Sequence, residues 1–207
     1  MLQIEAYMDV LCGFSFILWN RLKAYREKHP DIKIKHRAFA LSMDEKSYLR
    51  GFGTKDHAKA FFIDHVREAK RHEERINLEA LEKESFLLPT SGVLLRACKA
   101  AKALGGEASY EALFDALQEA IFLEGLNLTG EEVLEEQVLK VGLDLEEWRE
   151  AFQRETTLQD VIVDVKIAKS YGIRTSPTLI INGEYLLMGA VSEDDLEATL
   201  DDISSQV

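Results

Sequence analysis

The chain has 207 residues, of which 46% are hydrophobic and 30% charged, a composition typical of a globular protein and not of a disordered one. Its 25 basic and 37 acidic residues give a formal net charge of −12. Because an acidic surface repels phosphate groups, this charge argues against nucleic acid and anionic membranes as partners.

The first forty residues predict a strand, a helix and a second strand. Residues 2–8 and 32–39 alternate apolar and polar side chains, which is the pattern of a half-buried strand. Between them, residues 13–28 place apolar side chains on one helical stripe, and Pro30 follows the end of that stripe. Two strands joined by a helix of this length predict a parallel β-α-β unit.

The middle of the chain, from residue 44 to residue 159, has helical patterns and no convincing strand. Gly105-Gly106 predicts the end of one helix. Glu132, three residues after Thr129, predicts a capping box at the start of another. The predicted helices cover residues 54–76, 91–104, 110–123, 129 onward and 145–154.

The C-terminal segment predicts a helix, a β-hairpin and a final helix. Residues 158–171 have a helical pattern that ends before Gly172. Two apolar runs then flank Asn182-Gly183, a dipeptide favoured in tight hairpin turns. Ser192 begins the last predicted helix.

The predicted elements divide the chain into a small α/β domain and a helical insertion. The two outer pieces must pair in one sheet, because neither piece buries its apolar face alone. We therefore expect residues 1–43 and 156–207 to form the α/β domain and residues 44–155 to form the insertion.

The strongest candidate for a reactive residue is Cys12, which lies between the first strand and the first helix. A thiol at a helix start faces unpaired backbone amides and the positive end of the helix dipole, and both favour the thiolate. Ser15 follows three residues later, where its hydroxyl can donate to the sulfur. We expect Gly13 and Phe14, between them, to contact the substrate. Cys12 is also compatible with a small buried apolar residue.

A second feature is a proline at the entrance to an apolar strand. Pro177 lacks an N–H group and therefore suits the start of a strand. Most bonds before proline are trans. A cis bond here would turn the backbone of Ser176 toward an adjacent site, where it can pair with an extended thiol-bearing ligand. We therefore expect Thr175, Ser176 and Pro177 to bind substrate.

Cys12 and Pro177, in this order and spacing, resemble the DsbA family of thioredoxin-fold proteins over essentially the whole chain. The sequence is most similar to the branch that holds FrnE-like oxidoreductases, 2-hydroxychromene-2-carboxylate isomerases and kappa-class glutathione transferases. Phe86-Leu87-Leu88-Pro89-Thr90-Ser91 and the following Arg96-Ala97-Cys98-Lys99-Ala100-Ala101 are similar to a segment of the FrnE-like group. The resemblance implies an α/β, thioredoxin-like fold with a large all-helical insertion.

The active-site motif departs from the usual motifs of this branch. FrnE-like proteins usually carry Cys-Pro-Trp-Cys where this chain has Cys12-Gly13-Phe14-Ser15, and the isomerases and transferases usually carry Ser-Pro at the first two positions. The chain therefore keeps the attacking cysteine and lacks the resolving one. This implies a monothiol oxidoreductase in which Cys12 attacks a disulfide or mixed disulfide of a protein or small thiol, and an external thiol resolves the product.

The resemblance implies no tightly bound cofactor, with glutathione or another low-molecular-weight thiol as a co-substrate. Three alternatives stay open. Cys12 can be oxidised to a sulfenic acid. The protein can be a glutathione-dependent isomerase or transferase in which Cys12 only orients glutathione, or a non-catalytic binding module. Homodimers are common among such relatives, so a homodimer is a possible state of this chain.

For the other cysteine and three of the histidines, the sequence predicts structural roles and no chemistry. Cys98 is the only internal candidate for resolving a disulfide, but its apolar helical neighbours favour burial. His57, His65 and His72 fall near one face of the predicted helix 54–76, without a metal motif such as His-Glu-x-x-His. We expect all three to be solvated positions on a charged helix face, and we expect no metal.

The protein is expected to be cytoplasmic. Its N-terminal residues lack the basic region, apolar run and cleavage site of a secretory signal. Its apolar runs are far shorter than the roughly 20 residues that span a bilayer. Two cysteines are also too few for a disulfide scaffold.

Overall fold

The computed structural model of the chain describes residues 1–83 and 90–206. In these residues, four strands form one mixed sheet in the order β2-β1-β3-β4. β1 pairs in parallel with β2 and antiparallel with β3, and β3 and β4 form an antiparallel hairpin. The strands are β1 (Gln3–Met8), β2 (Lys33–Ala38), β3 (Thr178–Ile181) and β4 (Tyr185–Met188).

The sheet follows the sequence patterns closely. The central strand β3 is buried at every position, whereas the edge strands β2 and β4 alternate between more buried and more exposed residues. Asn182 and Gly183 both have positive φ, at 53° and 74°, as a tight hairpin turn requires. The N–H of Glu184 donates to the carbonyl of Ile181 at 3.1 Å and closes that turn. The predicted β-α-β unit and hairpin are both confirmed.

Helices surround this sheet and fill the middle of the chain. In the described ranges they are α1 (Gly13–Lys28), α2 (Glu45–Phe52), α3 (Lys55–Lys70), α4 (Leu78–Lys83), α5 (Ser91–Phe122), α6 (Glu131–Lys140), α7 (Leu145–Gln153), α8 (Glu155–Ser170) and α9 (Glu193–Ser205). The helices α2 and α4 were not predicted from the sequence, because each spans only two turns or so and carries little periodic signal.

The predicted break at Gly105-Gly106 is confirmed, since both glycines have non-helical backbone angles within the range of α5. Two other details of the predicted helices are wrong. The helix predicted over residues 54–76 ends at Lys70. The expected capping box at Thr129 is absent, since α6 begins after Gly130 and the Thr129 hydroxyl bonds to Asn127 Oδ1 at 2.6 Å.

The sheet and the helical insertion share one hydrophobic core. Large side chains from α1 and α5, such as Trp19 and Phe114, are completely buried in it beside the strands. Each such side chain contributes roughly 1.5–3 kcal/mol of transfer free energy relative to an exposed one. The insertion is therefore packed onto the α/β part, which places α3 and the end of α5 beside the N-terminus of α1.

The α/β fold with a helical insertion is confirmed. The boundaries 1–43, 44–155 and 156–207 stay a prediction. Of the segment similar to FrnE-like proteins, residues 86–89 lie outside the described residues. No helix within residues 1–83 and 90–206 is long and apolar enough to cross a membrane.

Candidate active site

Cys12 is the residue that precedes α1, directly after the turn that follows β1. Its N–H donates to the carbonyl of Asp9 at 3.2 Å, and its own carbonyl accepts the first helical hydrogen bond from Phe16 at 3.1 Å. The residue has extended backbone angles, which suit the position before a helix. Cys12 is only 1% exposed, so any partner of the thiol must reach it through the residues that cover it.

The loop before β3 lies against the sulfur. The Ser176-Pro177 peptide bond is cis. The Cys12 thiol donates to the Ser176 carbonyl at 3.3 Å, as expected for a loop that meets the reactive cysteine. The cause lies in the sheet, because β3 pairs with β1 in a register that places Thr178 opposite Tyr7. Ser176 therefore lies near the residues that follow β1.

Ser15 joins α1 to this loop. Its hydroxyl forms a 2.8 Å hydrogen bond with the Ser176 hydroxyl, and the N–H of Asp9 donates to both oxygens, at 3.4 and 3.1 Å. Ser15 is completely buried. The Ser15 side chain also forms the expected hydrogen bond with the Cys12 sulfur, which lowers the pKa of that thiol. In this arrangement Ser15 holds the loop beside Cys12.

The other residues predicted to contact substrate, Gly13, Phe14 and Thr175, differ in their burial and contacts. Gly13 is buried against α3, where a Cβ atom would lie 2.8 Å from the Ala69 Cβ, so the absence of a side chain permits close packing of the two helices. Phe14 is half-buried and its ring lies edge-on to the His65 ring, with centroids 5.0 Å apart. Thr175 is exposed, and its carbonyl accepts from the Thr178 hydroxyl at 2.8 Å.

His65 is the site residue that the sequence analysis placed wrongly. It is half-buried, and its Nε2 lies 3.7 Å from the Cys12 sulfur. His57 and His72 are exposed, as expected. A signal was available, since His65 is three residues after Phe62 and four before Ala69, both buried, and therefore lies on the buried face of α3.

Asp9 is a second site residue that the sequence patterns do not indicate. It is completely buried, and its carboxylate accepts from the N–H groups of Leu11 at 2.8 Å and Leu41 at 2.6 Å. Burial raises the pKa of the Asp9 carboxyl to about 6, although hydrogen bonds from Ser91 and from these two amides oppose the shift. Asp9 therefore ties the segment after β2 and the start of α5 to the turn that carries Cys12.

The helix-start position of Cys12 predicts a favoured thiolate, but in the structure the neutral thiol is favoured. Burial raises the pKa of the Cys12 thiol above its ordinary value of 9.0, and the charge of Asp9 raises it further. Hydrogen bonds from Ser15 and from the amide of Phe14 lower the pKa, as expected at a helix start, but they do not outweigh burial. The resting side chain is therefore a neutral thiol at neutral pH.

An apolar cavity of about 150 Å³ adjoins the site, with His65 in its wall. Leu41 and Phe61, two of its lining residues, are more than half exposed, at 55% and 59%. The full lining consists of Leu11, Leu41, Ser42, Phe52, Ala58, Phe61, Phe62, His65 and Ser91. The cavity thus offers an apolar surface next to the imidazole that contacts the thiol.

Cys98 lies in α5, completely buried, and both cysteines are free thiols. Burial raises the pKa of the Cys98 thiol well above its ordinary value. Its expected burial is confirmed, and this environment makes it a poor nucleophile. Within the described part of the chain, no group of three or more His, Cys, Asp or Glu residues is arranged to hold a metal ion.

A helix-start cysteine facing a cis-proline loop, on a sheet built from a β-α-β unit and a hairpin, defines a thioredoxin-fold protein. Residues 3–201 match the family model of the DSBA-like thioredoxin domain, and the chain belongs to this family. No curated protein sequence matches it. The predicted family resemblance is confirmed.

Solved structures of the same fold are similar at low sequence identity. A putative protein disulfide isomerase from Nitrosomonas europaea has a TM-score of 0.80 at 14% identity, covering 99% of this chain and 98% of the other. The cytosolic disulfide reductase DsbM from Pseudomonas aeruginosa has a TM-score of 0.75 at 17% sequence identity, with 99% of this chain and 100% of the other covered. DsbM has also been solved with GSH. A 2-hydroxychromene-2-carboxylate isomerase has a TM-score of 0.70 at 17% sequence identity, with 99% of this chain and 97% of the other covered.

Proposed function

We propose that the protein is a monothiol thiol-disulfide oxidoreductase that acts through Cys12. The Cys12 sulfur attacks one sulfur of a disulfide, a new Sγ–S bond forms, the substrate S–S bond breaks, and the other sulfur leaves as a thiolate that takes up a proton. An external thiol then attacks the mixed disulfide and releases Cys12. Over both steps one external thiol is consumed: one sulfur of the substrate disulfide is released as a thiol, and the other leaves in a new disulfide with the external thiol.

The observation that carries this proposal is the contact between the Cys12 sulfur and the Ser176 carbonyl at 3.3 Å, with Ser15 fixed beside them. The Ser176 backbone is a surface on which an extended substrate strand can pair next to the nucleophile. Ser15 occupies the place of a resolving cysteine, and a hydroxyl cannot resolve a mixed disulfide. The resolving thiol must therefore come from outside this motif.

Glutathione, or another low-molecular-weight thiol, is the co-substrate that suits the site best. Cys98 is buried in α5 and is a poor internal alternative. The similar DsbM of Pseudomonas aeruginosa has been solved with GSH, which supports the same thiol here. The disulfide substrate is then either a protein or a small mixed disulfide. We propose a cytoplasmic location, because DsbM is cytosolic and both cysteines here are free.

Intact-mass spectrometry tests this function directly. Protein treated with oxidised glutathione should gain one glutathione on Cys12, and an excess of reduced glutathione should remove it. Cys12→Ser should form no adduct, while Cys98→Ala should behave as the wild type, because Cys98 is buried. A wild type that stays unmodified, or an adduct that reduced glutathione does not remove, would contradict the proposal.

A glutathione-dependent isomerase is the second candidate, favoured by the apolar cavity beside the thiol and the structural likeness to 2-hydroxychromene-2-carboxylate isomerase. In that case Cys12 orients glutathione without forming a bond to it. Cys12→Ser would then keep most of its activity on an aromatic substrate, whereas disulfide reduction in the same variant would be lost under the first proposal. The single variant therefore separates the two functions.

A further inference from the structure

We propose that His65, supplied by the helical insertion, is the general base that takes the proton of the Cys12 thiol. The inference rests on the proposed function for its disulfide step, since it names how the same thiol is activated. Its geometric basis is the 3.7 Å contact between His65 Nε2 and the Cys12 sulfur. Imidazole is the side chain best suited to accept a proton near neutral pH.

The packing of α3 on α1 positions the imidazole. The edge-on contact with the Phe14 ring, at 5.0 Å and an interplanar angle of 76°, supports one side of the His65 ring. Gly13 allows the close approach, because any Cβ there would collide with the Ala69 Cβ at 2.8 Å. The first turn of α1 thus presents the sulfur to a ring carried by α3 of the insertion.

The other polar groups near the sulfur are already engaged in hydrogen bonds. The two carboxylate oxygens of Asp9 accept backbone hydrogen bonds from Leu11 and Leu41. The hydroxyls of Ser15 and Ser176 bond to each other, and the Ser176 carbonyl accepts a hydrogen bond without taking the proton. Among the described residues that contact the sulfur, His65 carries the atom that can accept a proton, its Nε2.

The surroundings keep His65 neutral before the reaction. Burial lowers its pKa below the ordinary value of 6.5, so the free base predominates at neutral pH. The groups that face it are the Cys12 thiol and Phe14 from α1, and the cavity residues Phe52 on α2 and Ser91 on α5, which carry no charge. The charge of the Asp9 carboxylate acts on the Cys12 thiol and raises its pKa.

These positions describe a balanced step. As the sulfur attacks the disulfide, its proton passes to His65 Nε2, the Sγ–S bond forms and the S–S bond of the substrate breaks. The leaving thiolate takes the proton from the imidazolium or from water. Because thiolate and imidazolium form together, their mutual attraction offsets part of the cost of creating charge in a buried site. The resolving thiol reverses the sequence and restores the neutral pair.

The test is the rate at which iodoacetamide alkylates Cys12 as a function of pH, measured in a Cys98→Ala background from about pH 5 to about pH 10. At neutral pH, His65→Gln should be slower by about 100-fold, because glutamine can donate a hydrogen bond but cannot accept the proton. The two rates should approach each other as the pH rises toward the pKa of the thiol, because a growing fraction of the thiol then ionises without a base. The wild-type rate should fall only as His65 becomes protonated, below pH 6.5.

The matched control is His72→Gln, which removes an exposed imidazole 6.3 Å from the Phe14 ring and should leave the profile unchanged. Equal slowing of His65→Gln at every pH would show a purely structural role and overturn the proposal. If His65→Gln does not fold, the pH profile of the wild type still tests the proposal. A wild-type alkylation rate that depends on a single ionisation with a midpoint at or above pH 9 would overturn the assignment of His65 as the base. Alkylation does not require disulfide exchange, so a failed glutathione adduct and a failed base assignment are separate results.

Discussion

At the scale of single residues, the site depends on which side chain occupies the place of a resolving cysteine. Ser15 there is buried and bonded to the Ser176 hydroxyl, so it holds the loop and takes no part in electron transfer. Cys12 is left as the one cysteine of the motif. Because its pKa is raised by burial, its reactivity must come from a neighbouring base and from the substrate it binds.

Replacing Ser15 by cysteine should convert the site to a dithiol. Cys12 and a cysteine three residues later form the spacing of a redox Cys-x-x-Cys pair. After oxidised glutathione is added, Ser15→Cys should accumulate an internal disulfide, whereas the wild type retains the glutathione adduct. Peptide mapping distinguishes the two products. Ser15→Ala is the control, and an adduct that persists equally in Ser15→Cys would show that the site excludes a resolving thiol.

At the scale of elements, the contact between α1 and α3 brings a base to a thiol. The two helices come close enough at Gly13 and Ala69 that no side chain fits between them. Without this approach, His65 would lie too far from the sulfur to exchange a proton with it. The helical insertion therefore contributes one residue of the chemistry in addition to a wall of the apolar cavity.

Gly13→Ala should separate these helices. The added methyl group overlaps with Ala69, and overpacking of this kind costs typically about 1–3 kcal/mol of unfolding free energy. We also expect slower alkylation of Cys12, because the imidazole moves away from the sulfur. Gly51→Ala is the matched control, since its Cβ meets nothing within 4 Å and lies in α2, where alanine is favoured. Urea unfolding and iodoacetamide kinetics measure the two effects, and identical behaviour of both variants would contradict the prediction.

At the scale of the whole molecule, buried charges connect the insertion to the sheet. The Asp164 carboxylate on α8 accepts from the Arg37 guanidinium on β2 at 2.9 Å and from the Ala38 N–H at 2.9 Å. It also forms an ion pair with Lys99 of α5. Lys99 is 7% exposed and Asp164 2%, so each charge depends on its partner. This cluster fixes α5 and α8 on the sheet that carries the site.

Asp164→Asn should destabilise the fold by about 3–5 kcal/mol, because it leaves the buried Lys99 without its opposite charge. The control is Glu124→Gln, which breaks an ion pair with Lys140 on the surface and should cost at most about 1 kcal/mol. Urea unfolding of both variants provides the comparison. A loss in Asp164→Asn no larger than in Glu124→Gln would contradict the prediction.

Much of the fold and part of the site could be predicted from local patterns. Alternation identified β1 and β2, Asn182-Gly183 identified the hairpin, and a proline before a strand identified the loop that faces Cys12. These features depend on residues close together in the chain, where periodicity and turn geometry act directly. The short helices and the cap before α6 were missed or misplaced, because packing decides them more than local preference does.

The sequence alone determined that Cys12 begins a helix, that Ser15 replaces a resolving cysteine, and that Pro177 precedes the strand. Only the tertiary structure decided that Ser15 bonds to Ser176, that burial keeps the thiol neutral, and that His65 contacts the sulfur. The physical reason is separation along the chain. The pairs 15–176 and 12–65 meet only when β3 pairs with β1 and α3 packs on α1, and burial exists only once the insertion covers the site.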